Sequence, residues 1–179
     1  LYADAMLRRL HKRLAERDAE DALWLVVADH GEGVGTHNQW GHERYLYQEV
    51  VKVPLLVHAP GRVRPRRLPQ IVEQCDIAPT LASVLGERLE QPELSIVGTS
   101  LAPLLSGDRS TPHRESAFCQ RVPRNPRQKG SVDWKDDLVM ATVTRDHKYI
   151  YHSDSEDEFY DLGADPWEQN NLIDTASDV

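Results

Sequence analysis

The sequence predicts an α/β protein with a small antiparallel β subdomain at its C-terminal end. An amphipathic helix, Tyr2 to Glu16, runs into a continuous apolar stretch, Ala22-Leu23-Trp24-Leu25-Val26-Val27, which has the length and texture of a fully buried strand. A second apolar stretch, Val53 to Ala59, follows a glycine-rich loop and stops at Pro60-Gly61. From Ser110 onward the pattern changes to short runs rich in Val, Thr and Tyr separated by polar turns. Successive short strands joined in this way read as an antiparallel sheet.

Each element has a local reason. In the first helix Leu7, Leu10 and Leu14 recur with Ala3 and Met6 at helical spacing, while Arg8, Arg9, His11, Lys12 and Arg13 form the wet face. The runs at 22–27 and 53–59 lack polar alternation, as expected of parallel strands covered on both faces. In such sheets ligands bind just beyond the carboxyl ends of the strands. A helical turn is expected over Glu43 to Glu49. Asp76 as a cap and Gly86 as a stop bracket a helix over Ile77 to Leu85, with Pro79 in its first turn. Residues 98–107 read as a short helix closed by Gly107, with Ser100 confined to local hydrogen bonding. Strands are expected over Glu115 to Gln120, Leu138 to Thr144, Lys148 to His152 and Glu158 to Leu162, followed by a terminal helix. The polar stretch Val122 to Asp136 reads as a long loop. The chain is thus expected to divide into a core part, 1–109, and a subdomain, 110–179.

Composition bounds the function classes. With 179 residues the chain can hold one domain with a sizeable core, or one domain plus an appendage. A hydrophobic fraction of 40% and a charged fraction of 28% fit a globular protein on the polar side of average. The net charge of -8 leaves no large basic footprint for nucleic acid or anionic membrane. No apolar run approaches the roughly 20 residues that span a bilayer. Cys75 and Cys119 are isolated and read as buried thiols rather than a disulfide or metal pair. Leu1 to Leu14 reads as the interior of a longer chain.

The chemistry-bearing stretch is Ala28 to His42. It places a carboxylate and an imidazole, Asp29 and His30, directly after the first apolar strand, and returns two more imidazoles, His37 and His42. Gly31, Gly33, Gly35 and Gly41 let the backbone approach a ligand closely. One hard oxygen ligand, several nitrogen donors and a flexible frame would make half of a metal-assisted anion site, with a helix cap or a satisfied polar pair as the alternative reading of Asp29-His30. Arg62, Arg64, Arg66 and Arg67 form a basic run that reads first as a solvated loop, with a place at a substrate mouth as the alternative.

An ordered series carries a family resemblance: Asp29-His30-Gly31-Glu32, Gly35-Thr36-His37, Trp40-Gly41-His42, Leu46-Tyr47-Gln48-Glu49, then Val53-Pro54-Leu55-Leu56-Val57. Together with Asp76 to Leu81, Gly98 to Gly107, Thr144 to Ile150 and Phe159 to Leu172, it resembles the C-terminal portion of the sulfatase family of the alkaline phosphatase superfamily. The resemblance implies part of an alkaline-phosphatase-like α/β/α sandwich followed by the small antiparallel subdomain. It implies Asp29 and His30 as metal ligands and His42 as the group contacting the sulfate or its leaving oxygen. His37 would lie at the rim of the site, and Glu32 would orient the loop. The implied cofactors are a divalent cation, calcium first, with manganese, magnesium and zinc open, and a formylglycine nucleophile on the upstream part. No Cys-x-Pro-x-Arg motif occurs here, and that family's nucleophile motif and early Asp-Asp pair, which lie near its N-terminus, are expected on the upstream part.

The expectation is therefore a piece of a metal-dependent sulfuric-ester hydrolase, inactive alone. Its partners would be a sulfate ester or related anionic substrate and the N-terminal part of the same protein, with self-association open. Two alternatives remain: a phosphodiesterase, phosphonate hydrolase or phosphotransferase of the same superfamily, and a noncatalytic binding or assembly domain.

Overall fold

The computed structural model describes residues 2–17, 19, 21–42, 44–87, 97–108, 113–121 and 138–175. In chain order the elements are α1 (Tyr2–Ala15), β1 (Trp24–Val27), β2 (Gly33–Val34), β3 (Trp40–Gly41), α2 (Gln48–Val51), β4 (Leu55–His58), α3 (Ile77–Leu85), α4 (Ala102–Ser106), β5 (Ser116–Arg121), β6 (Val139–Thr144), β7 (His147–His152) and β8 (Glu158–Asp161). The expected loop at 122–136 lies outside the described residues. The chain forms two compact units, one of Leu1–Val27, Pro54–Leu68 and Cys75–Thr111, the other of Ala28–Val53, Pro69–Gln74 and Pro112–Val179.

In the first unit β1 and β4 pair antiparallel, with Trp24 opposite His58 and Val27 opposite Leu55. The parallel arrangement expected from their apolar texture is corrected here. A continuous apolar run reports burial and carries no information on direction. A parallel pair also needs a crossover, usually a helix of some length, and the described residues of 28–54 carry no helix longer than the single turn of α2. Nor is the pair sealed on both faces, since Val27 and Leu56 are both exposed. The leucine face of α1 likewise buries no residue.

Asp76 was expected to cap α3, and this too is corrected. Its side chain makes no cap bond, because the residue itself is already in helical conformation (φ -74°, ψ -14°). The fully buried carboxylate instead accepts the Thr99 N–H at 2.7 Å. One turn on, the Thr80 hydroxyl donates to the Asp76 carbonyl and accepts the Leu101 N–H at 2.8 Å. Asp76 and Thr80 thus tie α3 to the approach of α4. Asp76→Ala should cost about 1 to 3 kcal/mol, because it empties a fully buried position and removes the bond to the Thr99 N–H; a urea midpoint equal to the parent's would remove this role. Gly86 ends α3 in left-handed conformation (φ 79°), as expected. From the basic run, Arg66 donates to the Leu104 and Leu105 carbonyls at the end of α4, a structural duty.

The second unit is built on an antiparallel sheet in the order β5-β6-β7-β8, and its four strands match the expected ones to within a residue or two at each end. Its core is Leu46, Val139, Ala141, Ile150 and Tyr160, with Tyr47, Val51, Cys119 and Leu162 against it. Strand alternation places Lys148 on the same inward face as Ile150, and both are 1% exposed.

After β8 the described chain runs to residue 175 as turns, with no helix, where a terminal helix was expected. Polar side chains capture the backbone groups that a helix would use. Asp161 accepts the Gly163 and Ala164 N–H groups, and Asp165 accepts the Asn170 N–H at 2.8 Å. No described helix is long and apolar enough to cross a membrane.

Candidate metal and catalytic site

The loop that follows β1 in the chain belongs entirely to the second unit. At its start, the Gln74 side-chain amide donates to the Ala28 and Asp29 carbonyls at 2.8 and 2.7 Å, fixing the backbone from which Asp29 and His30 project. Gly31 then donates to the Val50 carbonyl at 2.7 Å. A Cβ at Gly31 would overlap the Glu49 carbonyl oxygen, so only glycine lets the loop lie on α2 this closely. Gly31→Ala should cost about 1 to 3 kcal/mol through overpacking and loosen His30; an unshifted melting temperature would contradict this packing.

Farther along, β2 and β3 pair as Gly33 with Gly41 and Val34 with Trp40. The buried Tyr45 hydroxyl donates to the Gly41 carbonyl at 2.5 Å and braces this small hairpin. His42 follows at its end.

These constraints bring Asp29, His30 and His42 together. The two imidazoles stack with centroids 3.7 Å apart and planes 24° from parallel. His30 Nδ1–H donates to the Gly31 carbonyl at 2.7 Å, which leaves the Nε2 lone pair outward, as a metal ligand requires. Asp29 Oδ1 accepts the His30 N–H at 3.0 Å. That bond, the Asp29 N–H and the neighbouring His30 imidazole hold its carboxyl below the usual carboxylate range. Asp29 is therefore ionised at neutral pH.

Asp29 Oδ2 and His30 Nε2 lie 3.7 Å apart. Two bonds of about 2.1 to 2.5 Å, set at roughly 90 to 110° on a shared cation, put their outer atoms about 3 to 4 Å apart. The donor pair fits a divalent ion by this test. Among the described residues no three His, Cys, Asp or Glu side chains converge to hold a metal, so the pair supplies two ligand atoms and no more.

His42 Nδ1 faces the Glu32 carboxylate at 3.3 and 3.4 Å. With Nδ1–H directed at Glu32, the His42 Nε2 atom is left to meet a ligand.

His37 is placed differently. Its ring stacks on Tyr47 (3.8 Å, 12°), its Nε2–H donates to the Glu168 carbonyl at 2.6 Å, and its Nδ1 lies 3.7 Å from Glu49. At 11% side-chain exposure it is committed to internal contacts.

Sequence reasoning passed over Gln74, which offers no signal in its surroundings, and the buried pair Lys148–Glu168, whose Nζ and Oε1 atoms are 2.7 Å apart. The signal for the second was a lysine at an inward position of an alternating strand.

The family described as N-sulphoglucosamine sulphohydrolase, C-terminal, matches residues 35–178. Choline-sulfatase of Rhizobium meliloti is 27% identical over 172 residues, covering 96% of this chain and 31% of that protein. Arylsulfatase K of Mus musculus is 31% identical over 174 residues, covering 94% and 30%. Among solved structures, the phosphonate monoester hydrolase of Agrobacterium radiobacter superposes with a TM-score of 0.80 at 26% identity, covering 97% of this chain and 35% of that one. BT4656, solved in complex with its substrate D-glucosamine-2-N,6-O-disulfate, gives 0.73 at 26%, covering 97% and 34%. The chain spans about a third of the length of the relatives it matches.

Proposed function

Because the chain belongs to the sulfatase C-terminal family, within the alkaline phosphatase superfamily, we propose that it is the part of a metal-dependent sulfuric-ester hydrolase that supplies two metal ligands and an anion-contacting imidazole. The observation that carries this reading is the 3.7 Å gap between Asp29 Oδ2 and His30 Nε2, with the His42 ring stacked on His30. Residues 1–109 would belong to the α/β core and 110–179 to the small antiparallel subdomain.

A divalent cation held by Asp29, His30 and residues from the upstream part would serve as a Lewis acid toward the ester's anionic oxygens. A lone carboxylate and imidazole bind it weakly, since hard cations take about six to eight oxygen ligands. Calcium fits the Asp29 oxygen, and the His30 nitrogen also suits manganese or zinc, with magnesium open. Asp29, ionised, binds. His30, with Nδ1–H tied to Gly31, presents Nε2. His42, with Nδ1 toward Glu32, would present Nε2 to the sulfate or to the departing oxygen, where an imidazole can serve as a general acid. His37 would act at the rim through the loop's shape, since its ring is stacked on Tyr47 and its Nε2–H is given to the Glu168 carbonyl.

The nucleophile, a formylglycine in the sulfatase reading, would come from the upstream part, so this chain alone should not turn over substrate. The substrate would be a sulfate ester of a small molecule, and the sulfated amino sugar bound by BT4656 is the first to try. The superposition on a phosphonate monoester hydrolase favours one second reading, hydrolysis of phosphonate or phosphate esters at the same centre.

The deciding experiment takes the full-length protein, measures the mass of its nucleophile-bearing peptide and compares turnover of matched aryl sulfate and aryl phosphonate esters. Formylglycine with the sulfate ester preferred supports the first reading. Preference for the phosphonate ester supports the second. An unmodified nucleophile peptide with neither ester cleaved would return the chain to a binding or assembly role.

A further inference from the structure

We propose that Glu168 is a positioning residue for the loop that carries His30 and His42, holding it from two sides. The inference rests on the reading of those histidines as working groups, and its test is therefore read on the loop before it is read on turnover.

The first hold is through the backbone. Among the described residues three non-glycines have positive φ: His37 (54°), Asn38 (54°) and Glu168 (55°). Such conformations cost of order 1 kcal/mol or more each and persist only where their surroundings over-determine them. Two of the three, 131 residues apart, are bonded to each other, the Glu168 carbonyl accepting His37 Nε2–H at 2.6 Å. The turn at 36–38 lies between the two strands of the hairpin that ends at His42, so a fixed His37 fixes the hairpin's tip.

The second hold is through the side chain. Glu168 Oε2 accepts the N–H of Gln48, the first residue of α2, at 2.6 Å. At the other end of that turn, the Val50 carbonyl accepts the Gly31 N–H, and Gly31 directly follows His30. The same carboxylate pairs through Oε1 with the buried Lys148 of β7, which anchors it to the sheet. Lys148, Glu168, α2 and Gly31 thus form one unbroken line from the sheet to His30, while the Glu168 carbonyl leads by His37 toward His42.

A residue of merely structural importance would lower stability without singling out this loop. The test uses the full-length protein and Glu168→Ala. Because an orphaned buried ammonium threatens folding, it also uses the double variant K148M/E168M, in which apolar side chains of similar length replace the pair. Ile150→Val, a core change on the same strand as Lys148, is the control. Hydrogen–deuterium exchange over residues 31–42, followed well below each melting temperature, should rise at least about tenfold in the Glu168 variants and stay near the parent's in the control, since local opening is separable from global unfolding. The ring-current-shifted signals of the stacked His30 and His42 should move in the same variants. If the double variant folds and both readouts match the control, the proposal is overturned. Raised exchange with unchanged turnover supports the positioning and instead removes the chemistry assigned to the loop, so the two readings fail separately.

Discussion

Lys148→Met should destabilise the protein by about 3 to 5 kcal/mol, the range found when one partner of a buried ion pair is removed. Lys148 is flanked by exposed neighbours on its strand, yet its side chain is fully buried 2.7 Å from Glu168 Oε1. Burial pushes the Lys148 ammonium below its ordinary range, with the facing carboxylate opposing the shift. Methionine fills the space but leaves the carboxylate charged in an apolar setting, where desolvation exceeds what its remaining Gln48 N–H bond can offset. The measurement is a urea titration read by tryptophan fluorescence. A loss below about 1 kcal/mol, the scale of an exposed pair, would mean that water reaches Lys148.

Asp29→Ala should lower the turnover of the full-length protein by about 10³-fold, roughly 4 kcal/mol of transition-state stabilisation, while leaving its melting temperature almost unchanged. The two halves of that expectation have separate causes. The Asp29 side chain is 87% exposed, and it bonds locally, to the adjacent His30 N–H, so folding gains little from it. Its free oxygen beside His30 Nε2 is what a cation would use. Asp29→Asn keeps an oxygen in place without the charge and should fall between the two. Calorimetric titration with calcium, manganese and zinc separates weaker binding from slower chemistry. Turnover of Asp29→Ala within about threefold of the parent would remove Asp29 from the ligand set.

Much of the architecture was legible because its signals are local. The alternation along Val139 to Thr144 and His147 to His152, and the glycine that stops α3, each specify an element within a few residues. The order of the loop from Asp29 to His42 likewise pointed to one site, and the stack of His30 on His42 fits it. What the sequence did not disclose depends on partners far along the chain. The direction of β4 against β1 is set by how residues 28–54 return, which apolar texture does not encode. Asp76 has the identity of a cap, but its use is decided by where Thr99 arrives. His37 has the residue type of a site group, and only Tyr47 and Glu168, met in space, show that its ring is occupied. The expected terminal helix yielded to Asp161 and Asp165, whose side chains bind nearby N–H groups more readily than helix interiors allow.

The bond between His37 and Glu168 also sets a timetable. Its ends are 131 residues apart, and contacts of such separation are made late, after local turns and hairpins have formed. Chain entropy grows only slowly with loop length, so the burden of that distance falls on the order of events more than on final stability. During synthesis the histidine loop leaves the ribosome long before the glutamate that clasps it. The sheet must form, receive Lys148 and then accept the turn at 165–169 before the loop can settle. On this account the loop that carries the proposed site residues is the last part to set, and a nascent chain ending short of residue 168 would hold every one of them without the arrangement they need.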